Sequence, residues 1–250
     1  MNHRPLTTFV VALAITGSAF ASSQPVVLGD FSQYQQVPEE PWQIVRFDED
    51  IPATDYRLRQ HQGVHAVEAR AQGSMALLAR PLAADLQKTP VLCWRWWVDE
   101  PIKQADMSEK SGDDYAARMY VTFDLPGSAM SLGTRLKLSA ARTLHGSDLP
   151  DAAINYVWDN KHPVGTTRAN AYTDRAQMMV LRTGSDDTDR WITERRNLRQ
   201  DLQQLFETGS AQTLQLAIAS DSDNTGATTG ALFADIHLVA EGDECRFPPA

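Results

Sequence analysis

The stretch YAARMYVTFD, residues 115–124, is the part of the sequence that decides the fold class. Its apolar side chains Met119, Val121 and Phe123 alternate with more polar ones, which is the period of a β-strand. The stretch VLCWRWWV, residues 91–98, is apolar at nearly every position. Such a run is typical of a strand that is covered on both faces, so we expect it in the middle of a β-sandwich.

Further stretches of alternation, bounded by turn residues, recur along the chain. They predict strands at residues 56–60, 64–70, 74–80, 152–158, 177–182, 213–220 and 232–239. Many short strands at this spacing predict an all-β, mainly antiparallel fold, either a β-sandwich or a jelly roll. Helical periodicity occurs only at residues 130–144 and at residues 198–206, where Asn197 is a good N-cap. A regularly alternating α/β fold is therefore not expected.

Residues 1–21 have the composition of a secretory signal peptide. Arg4 precedes an apolar core from Leu6 to Ile15, and Ala19-Phe20-Ala21 matches the small-x-small cleavage pattern. The core is too short to span a bilayer, and a buried helix or a retained anchor is the alternative interpretation. We therefore expect cleavage near Ala21, a periplasmic or secreted protein, and a single β-sandwich domain over residues 22–250 with no transmembrane segment.

The charge and the cysteines limit the partners and the compartment. The chain has 23 basic and 32 acidic residues, which give a net charge of −9 at pH 7. Binding to nucleic acid depends on basic charge, so no nucleic-acid partner is expected, whereas a neutral ligand or a cation is compatible. In an oxidising compartment Cys93 and Cys245 would form a disulfide, and two free thiols are the alternative.

The loop DSDNTG, residues 221–226, places two carboxylates and an amide within four positions, at Asp221, Asp223 and Asn224. Oxygen ligands on a tight turn suit a hard cation such as calcium, and the same groups suit the hydroxyls of a sugar. Leu232 stands where a helix-loop-helix calcium loop requires a glutamate, so that motif is excluded. Calcium held by Asp221 and Asp223 with ligands from elsewhere is one interpretation, and a solvated polar turn is the other.

Two further segments combine acids with arginines beside predicted strands. Gly112-Asp113-Asp114 precedes the strand that carries Arg118, and Glu194 and Arg195 lie just before the second helix. Carboxylates so placed can hold a cation or act as general acid and base, while turns and structural ion pairs are the alternatives. If the three segments meet at one end or face of the sandwich, the ligand-binding residues are Asp113, Asp114, Arg118, Glu194, Arg195, Asp221, Asp223 and Asn224.

The six tryptophans of the chain invite a second interpretation, in which a flat indole ring packs on a sugar. Trp94, Trp96, Trp97 and Trp158 lie in predicted strands, where packing in the core is the default for a large aromatic side chain. A ligand-facing role for one of them is the alternative.

Five segments, taken in order, resemble the secreted bacterial family known as domain of unknown function 3047. They are CWRWWV at residues 93–98, GDDYAAR at 112–118, NYVW at 155–158, ERRN at 194–197 and DSDNTG at 221–226. The resemblance extends from about Val27 to Leu238. It implies a β-sandwich similar to carbohydrate-binding modules, and it implies no activity.

The leading hypothesis is a non-catalytic extracytoplasmic binding protein for a glycan or another polar ligand of the cell envelope, with calcium as a candidate cofactor. The first alternative is a polysaccharide-acting enzyme, a glycoside hydrolase or lyase, that pairs Glu194 with Asp114 or Asp221 across a groove. The second alternative is a structural envelope protein. The sequence contains no nucleophile-base-acid series and no phosphate- or dinucleotide-binding motif.

Overall fold

The computed structural model describes residues 24–145 and 149–249. The predicted signal peptide and its cleavage position near Ala21 lie outside these residues. The elements are β1 Val26–Gly29, β2 Gln43–Val45, β3 Asp55–His61, β4 Val64–Gln72, β5 Leu77–Pro81, β6 Val91–Val98, β7 Tyr115–Asp124, α1 Leu132–His145, β8 Ala152–Asp159, β9 Thr167–Ala169, β10 Ala176–Thr183, β11 Ile192–Asn197, α2 Leu198–Phe206, β12 Gln212–Asp221 and β13 Thr228–Val239. Short 3₁₀ turns lie at residues 31–33, 110–112 and 127–129.

The strands form two sheets. The six-stranded sheet has the order β11-β6-β13-β4-β3, with β1 also paired to β13, and the seven-stranded sheet has the order β2-β5-β12-β7-β8-β10-β9. Neighbouring strands are antiparallel except for β8 and β10, which run parallel. The predicted all-β, mainly antiparallel sandwich with two helices is confirmed.

A single apolar core lies between the two sheets and contains most of the large aromatic side chains. Trp94 and Trp96 of β6 pack against Tyr156 and Trp158 of β8, with ring centroids 5.6 and 5.8 Å apart. These four rings are at most 1% exposed. Core packing, the default interpretation of the tryptophans in strands, therefore describes them, and they are not available to a ligand.

Strand β7 separates the core from the candidate site, because its two faces differ in chemistry. Met119, Val121 and Phe123 point into the core between the sheets. Arg118 and Tyr120 alternate with them, so they lie on the outer face of the seven-stranded sheet. The period that predicts this strand also determines which of its residues can meet a ligand.

The two helices are short and lie close to the predicted positions. Helix α2 begins after Asn197, whose side-chain oxygen accepts hydrogen bonds from the backbone N–H groups of Arg199 and Gln200. Helix α1 begins at Leu132, two residues after its predicted start. In the described part of the chain, no helix is long and apolar enough to cross a membrane.

The sequence reading missed four strands, of which β11 matters most for the site. The short edge strands β1, β2 and β9 have three or four residues each, which is too few to show a period. Strand β11 has the sequence ITERRN and lies at the edge of the six-stranded sheet. Charged side chains are common on edge strands, and here they hide the alternation.

The C-terminal tail is fixed to the six-stranded sheet by a disulfide. Cys93 of β6 and Cys245 are bonded, with Cα atoms 5.8 Å apart. Phe247 packs in the same small cluster with Val91 and Val239. The backbone N–H of Arg246 donates to His237 Nε2 at 3.0 Å, so the tail is held by polar and apolar contacts as well.

Candidate functional site

A cavity of about 440 Å³ opens on the outer face of the seven-stranded sheet. Strands β7, β8, β10 and β12 supply Arg118, Tyr120, Asn155, Ala176 and Asp221 to its lining, and loops supply the rest. The loop residues are Phe47, Asp48 and Ile51 on one side, Asn170, Tyr172 and Thr173 on another, and Asp113, Asp223 and Asn224 at the ends of β7 and β12. Two of the three polar segments singled out in the sequence therefore meet in one cavity.

Arg118 is the centre of the polar contacts in this cavity. Its Nη2 donates to Asp113 Oδ1 at 3.0 Å, and its Nη1 lies 2.9 Å from Asp221 Oδ2. Its guanidinium also lies 4.3 Å from the ring centroid of Tyr115. Arg118 is 3% exposed, so this cation is almost fully withdrawn from water and depends on its two carboxylate partners. These contacts hold Asp113, Arg118 and Asp221 in a fixed arrangement in the cavity lining.

Asp114 connects the two segments by holding the backbone of the 221–226 loop. Its Oδ1 accepts from the N–H of Asn224 at 3.2 Å and its Oδ2 from the N–H of Thr225 at 2.6 Å. Gly226, at φ +69°, then turns the chain toward β13. Asp114 therefore acts as an anchor for the loop, and both of its oxygens already have donors.

Carboxylate oxygens of Asp114, Asp221 and Asp223 all lie within 4.8 Å of one another. Burial raises the pKa of Asp221 well above its ordinary value, and Arg118 opposes that rise. Burial also raises the pKa of Asp223, and the neighbouring charge of Asp114 adds to the effect. Burial and the neighbouring acids thus disfavour the charged forms of Asp221 and Asp223, and an added positive charge would stabilise them.

The structure also adds residues that the sequence did not suggest as ligand-binding. Asn155 is 1% exposed, its Nδ2 donates to Met178 Sδ at 3.3 Å, and its Oδ1 has no partner among the described residues. Its signal in the sequence is a polar residue within an otherwise apolar strand. Buried acceptors without a donor are rare in folded proteins, so this oxygen in the cavity lining indicates a place for a donor from a ligand.

Aromatic rings at the cavity belong to Phe47, Tyr120 and Tyr172 rather than to tryptophan. Phe47 is 71% exposed and Tyr172 is 58% exposed. The hydroxyl of Tyr172 lies 2.8 Å from Asn224 Oδ1, which links the loop after β9 to the loop after β12. No local pattern marks these residues in the sequence, because two of them lie in loops that only the tertiary fold brings together.

Glu194 and Arg195 do not join this cavity, which corrects the expectation that all three segments form one site. Glu194 points into the space between the sheets, where its Oε1 accepts from Trp96 Nε1 at 3.2 Å and from Arg182 Nε at 2.7 Å. Arg195 is exposed on the other face of β11 and donates to the carbonyl of Glu241. The missed strand β11 explains the error, since alternation sends these neighbours to opposite faces.

Glu194 is consequently separated from Asp114 and Asp221 by the seven-stranded sheet itself. The trial catalytic pairs of Glu194 with either aspartate cannot face a common groove. Burial raises the pKa of Glu194 and Arg182 opposes that rise, so Glu194 is a buried acid whose charge is only partly compensated by the arginine.

Two packed sheets with an acidic cavity on one outer face define this molecule as a β-sandwich protein with a preformed cavity of ligand size. The chain belongs to the family described as proteins of unknown function, DUF3047, whose model matches residues 40–237. That range contains all five segments that carry the resemblance in the sequence. A comparison with curated protein sequences gives no match.

Solved structures with partial similarity include one described as "CBM4 structure and function", with 11% identity and a TM-score of 0.36 over 85% of this chain and 97% of that chain. Endoglucanase 3 from family GH12 of Trichoderma harzianum has 7% identity and a TM-score of 0.34 over 81% and 98% of the two chains. A family 12 xyloglucanase from Bacillus licheniformis has 10% identity and a TM-score of 0.34 over 88% and 100%. At these TM-scores the likeness carries no argument about ligand or reaction.

Proposed function

We propose that this protein is an extracytoplasmic, non-catalytic binding protein for a glycan or another polar ligand of the cell envelope. The observation that carries the proposal is the cavity of about 440 Å³, which lies within the usual size range of small-ligand sites. Buried polar groups and exposed aromatic rings share its lining. One oligosaccharide segment uses both kinds of surface, because hydroxyls need hydrogen-bond partners and the C–H faces of the ring pack on aromatic carbon.

The polar groups of the cavity favour binding over catalysis. Asp113 and Asp221 are both held by Arg118, and Asp114 holds the backbone of the 221–226 loop. A glycosidase needs one carboxyl group to deliver a proton and a second placed across the scissile bond. The pairs of Glu194 with Asp114 or Asp221 are divided between two faces of a sheet, and Asp114 and Asp221 are already engaged by backbone N–H groups and by Arg118, which favours the binding proposal over the hydrolase or lyase alternative.

The proposed compartment rests on the signal-peptide pattern of residues 1–21 and on the disulfide between Cys93 and Cys245. Disulfides of this structural kind persist in oxidising compartments such as the periplasm or the extracellular medium. The single-domain proposal for residues 22–250 is supported by one core cluster that draws side chains from both sheets.

Calcium at Asp221 and Asp223 is a second candidate, favoured by the close approach of these oxygens to Asp114. The existing contacts weigh against it. Calcium takes six to eight oxygen ligands, whereas both oxygens of Asp114 accept backbone N–H groups and Asp221 is paired with a guanidinium. We expect the melting temperature to be the same with EDTA and with added calcium, and a clear rise with calcium would restore the metal interpretation.

A direct test of the proposed function is Phe47→Ala, which removes the most exposed ring of the cavity without disturbing the core. We expect affinity for a neutral oligosaccharide selected from a glycan array to fall about tenfold, measured by isothermal titration calorimetry, since aromatic contacts of this kind contribute about 1 kcal/mol or more. Val164→Ala is the matched control, because Val164 is 60% exposed and lies outside the cavity lining. Failure of every glycan on the array to bind the wild type would contradict the proposal.

A further inference from the structure

The cavity lining carries more negative than positive charge. Four carboxylates line it, those of Asp48, Asp113, Asp221 and Asp223, against the one guanidinium of Arg118. In a water-poor cavity such an imbalance raises the free energy of every ionised acid that has no cationic partner. A ligand that brings positive charge lowers that free energy, and a ligand that brings negative charge raises it.

The carboxylates differ in how far they are already neutralised. Asp113 and Asp221 are both in contact with Arg118, and Asp113 Oδ2 also accepts from Asn170 Nδ2 at 2.8 Å. Asp223 is in a different situation. Its Oδ2 accepts from the neutral amide of Asn224 at 2.7 Å, and among the described residues no Lys, Arg or His forms an ion pair with it. Asp223 is thus the half-buried acid of the cavity that lacks a cation.

The hydrogen-bond inventory of the cavity indicates the same kind of ligand. Asn155 Oδ1 is an acceptor without a donor, and its orientation is fixed because Met178 Sδ can only accept from Nδ2. Asp223 also offers acceptors only. The donors of Arg118 Nη1 and Nη2 are spent on Asp113, Tyr120 and Asp221. Arg118 Nε is a guanidinium donor without a partner among the described residues. The unpaired acceptors of Asn155 and Asp223 outnumber it, so a ligand that brings several donors fits the space.

We propose that the cavity selects a ligand that carries a protonated primary amine, such as an amino sugar, and that Asp223 is the residue that contacts the ammonium group. An ammonium brings one positive charge and three donors, which matches the unpaired carboxylate and the surplus acceptors. It needs no more than a few oxygen contacts, unlike calcium, so Arg118 and Asp114 keep their present partners. This inference rests on the proposed function and names the ligand class for the same cavity.

Three tetrasaccharides with the same backbone linkage separate amine recognition from glycan recognition: fully deacetylated chitotetraose, fully acetylated chitotetraose and cellotetraose. They differ only in the group on carbon 2, which is an ammonium, an acetamide or a hydroxyl. Calorimetry at a pH where the amine is protonated should show at least tenfold tighter binding of the deacetylated oligomer than of cellotetraose. In Asp223→Asn this ratio should fall to about one, while folding is followed by circular dichroism and thermal melting.

Asp186→Asn is the matched control, because Asp186 is an exposed acid outside the cavity and its loss changes the overall charge by the same amount. If the preference for the amine fell equally in both variants, general attraction to an acidic protein would explain it, and the inference would be overturned. Equal binding of the amine and hydroxyl oligomers to the wild type would overturn it as well, yet leave the proposed glycan function standing.

The remaining outcome is that none of the three tetrasaccharides binds, and spermidine then separates the two proposals. Binding of spermidine that is lost in Asp223→Asn supports the amine site and counts against a glycan ligand. No binding of spermidine overturns the amine inference, and the glycan array then decides the proposed function.

Discussion

At the scale of single residues, Asp114 belongs to the group of acids that could hold a metal ion, yet its contacts are those of a residue that stabilises a loop. It is fully buried, and it accepts from two consecutive backbone N–H groups of the loop that carries Asp223. The loop carries the proposed contact residue, and Asp114 is not among the residues that line the cavity, so its role is to position the loop.

Asp114→Ala leaves the N–H groups of Asn224 and Thr225 without their acceptors. We expect the free energy of unfolding to fall by about 2 kcal/mol, because unsatisfied, partly buried donors of this kind are expensive. Urea denaturation measures the change, and Asp186→Ala, at an exposed position, should stay within about 0.5 kcal/mol of the wild type. If the free energy of unfolding fell no more than in the control, water would be an equally good acceptor for these two N–H groups, and Asp114 would not be needed to stabilise the loop.

At the scale of elements, β11 and β10 are joined across the edge of the sandwich by Glu194 and Arg182. The contact lies between an edge strand of one sheet and a strand near the edge of the other. Sequence alone could not show it, because β11 was not recognised as a strand and Arg182 lies at the end of another. The sequence predicts that Glu194 and Arg195 of the segment ERRN form part of a ligand site next to a helix. In the structure the segment is a strand, so Glu194 points into the core and Arg195 points to the surface.

The Glu194 contact predicts a pH dependence of stability. Burial raises the pKa of Glu194 above its ordinary 4.5, so the folded state binds the proton more tightly than the unfolded state does. Its contribution to stability is therefore fully present below pH 4.5 and declines as the pH rises through the folded-state pKa. The glutamine of Glu194→Gln carries no charge at any pH. The melting temperature of this variant should therefore rise relative to that of the wild type as the pH increases from 4.5 to 7. Glu109→Gln, at an exposed position, is the control, and a change with pH for Glu194→Gln no larger than that for Glu109→Gln would contradict the argument.

The elements also show how much of the site was predictable. Strand β7 and helix α2 have the bounds that local periodicity predicts, 115–124 and 198–206, because each has one apolar face in the core. The meeting of Asp221 with Arg118 depends on the pairing of β12 with β7, where Asp221 lies opposite Tyr115. That pairing joins residues about a hundred positions apart, and no local pattern encodes it. Phe47 and Tyr172 were missed for the same reason.

At the scale of the whole molecule, the disulfide joins the tail to a central strand of the six-stranded sheet. The two cysteines are 152 residues apart in the sequence, so the bond removes much conformational freedom from the unfolded chain. The double variant Cys93→Ala/Cys245→Ala should lose about 4 kcal/mol of unfolding free energy, measured with guanidinium.

Reduction of the wild type with dithiothreitol provides the control for the disulfide. It should lower the stability to that of the double variant and leave the variant itself unchanged. If the variant were as stable as the oxidised wild type, the contacts of Phe247 and Arg246 alone would hold the tail.

Strand β13 is the last strand in the chain, yet it lies in the centre of the six-stranded sheet, where it pairs with β1, β4 and β6. While the polypeptide is being made, β4 and β6 lack the strand that lies between them until residues 228–239 emerge. Their facing edges, with unpaired backbone N–H and C=O groups, stay open until then, and open strand edges promote the aggregation of incomplete chains. From the order of the strands we therefore expect the six-stranded sheet to be completed only late in synthesis.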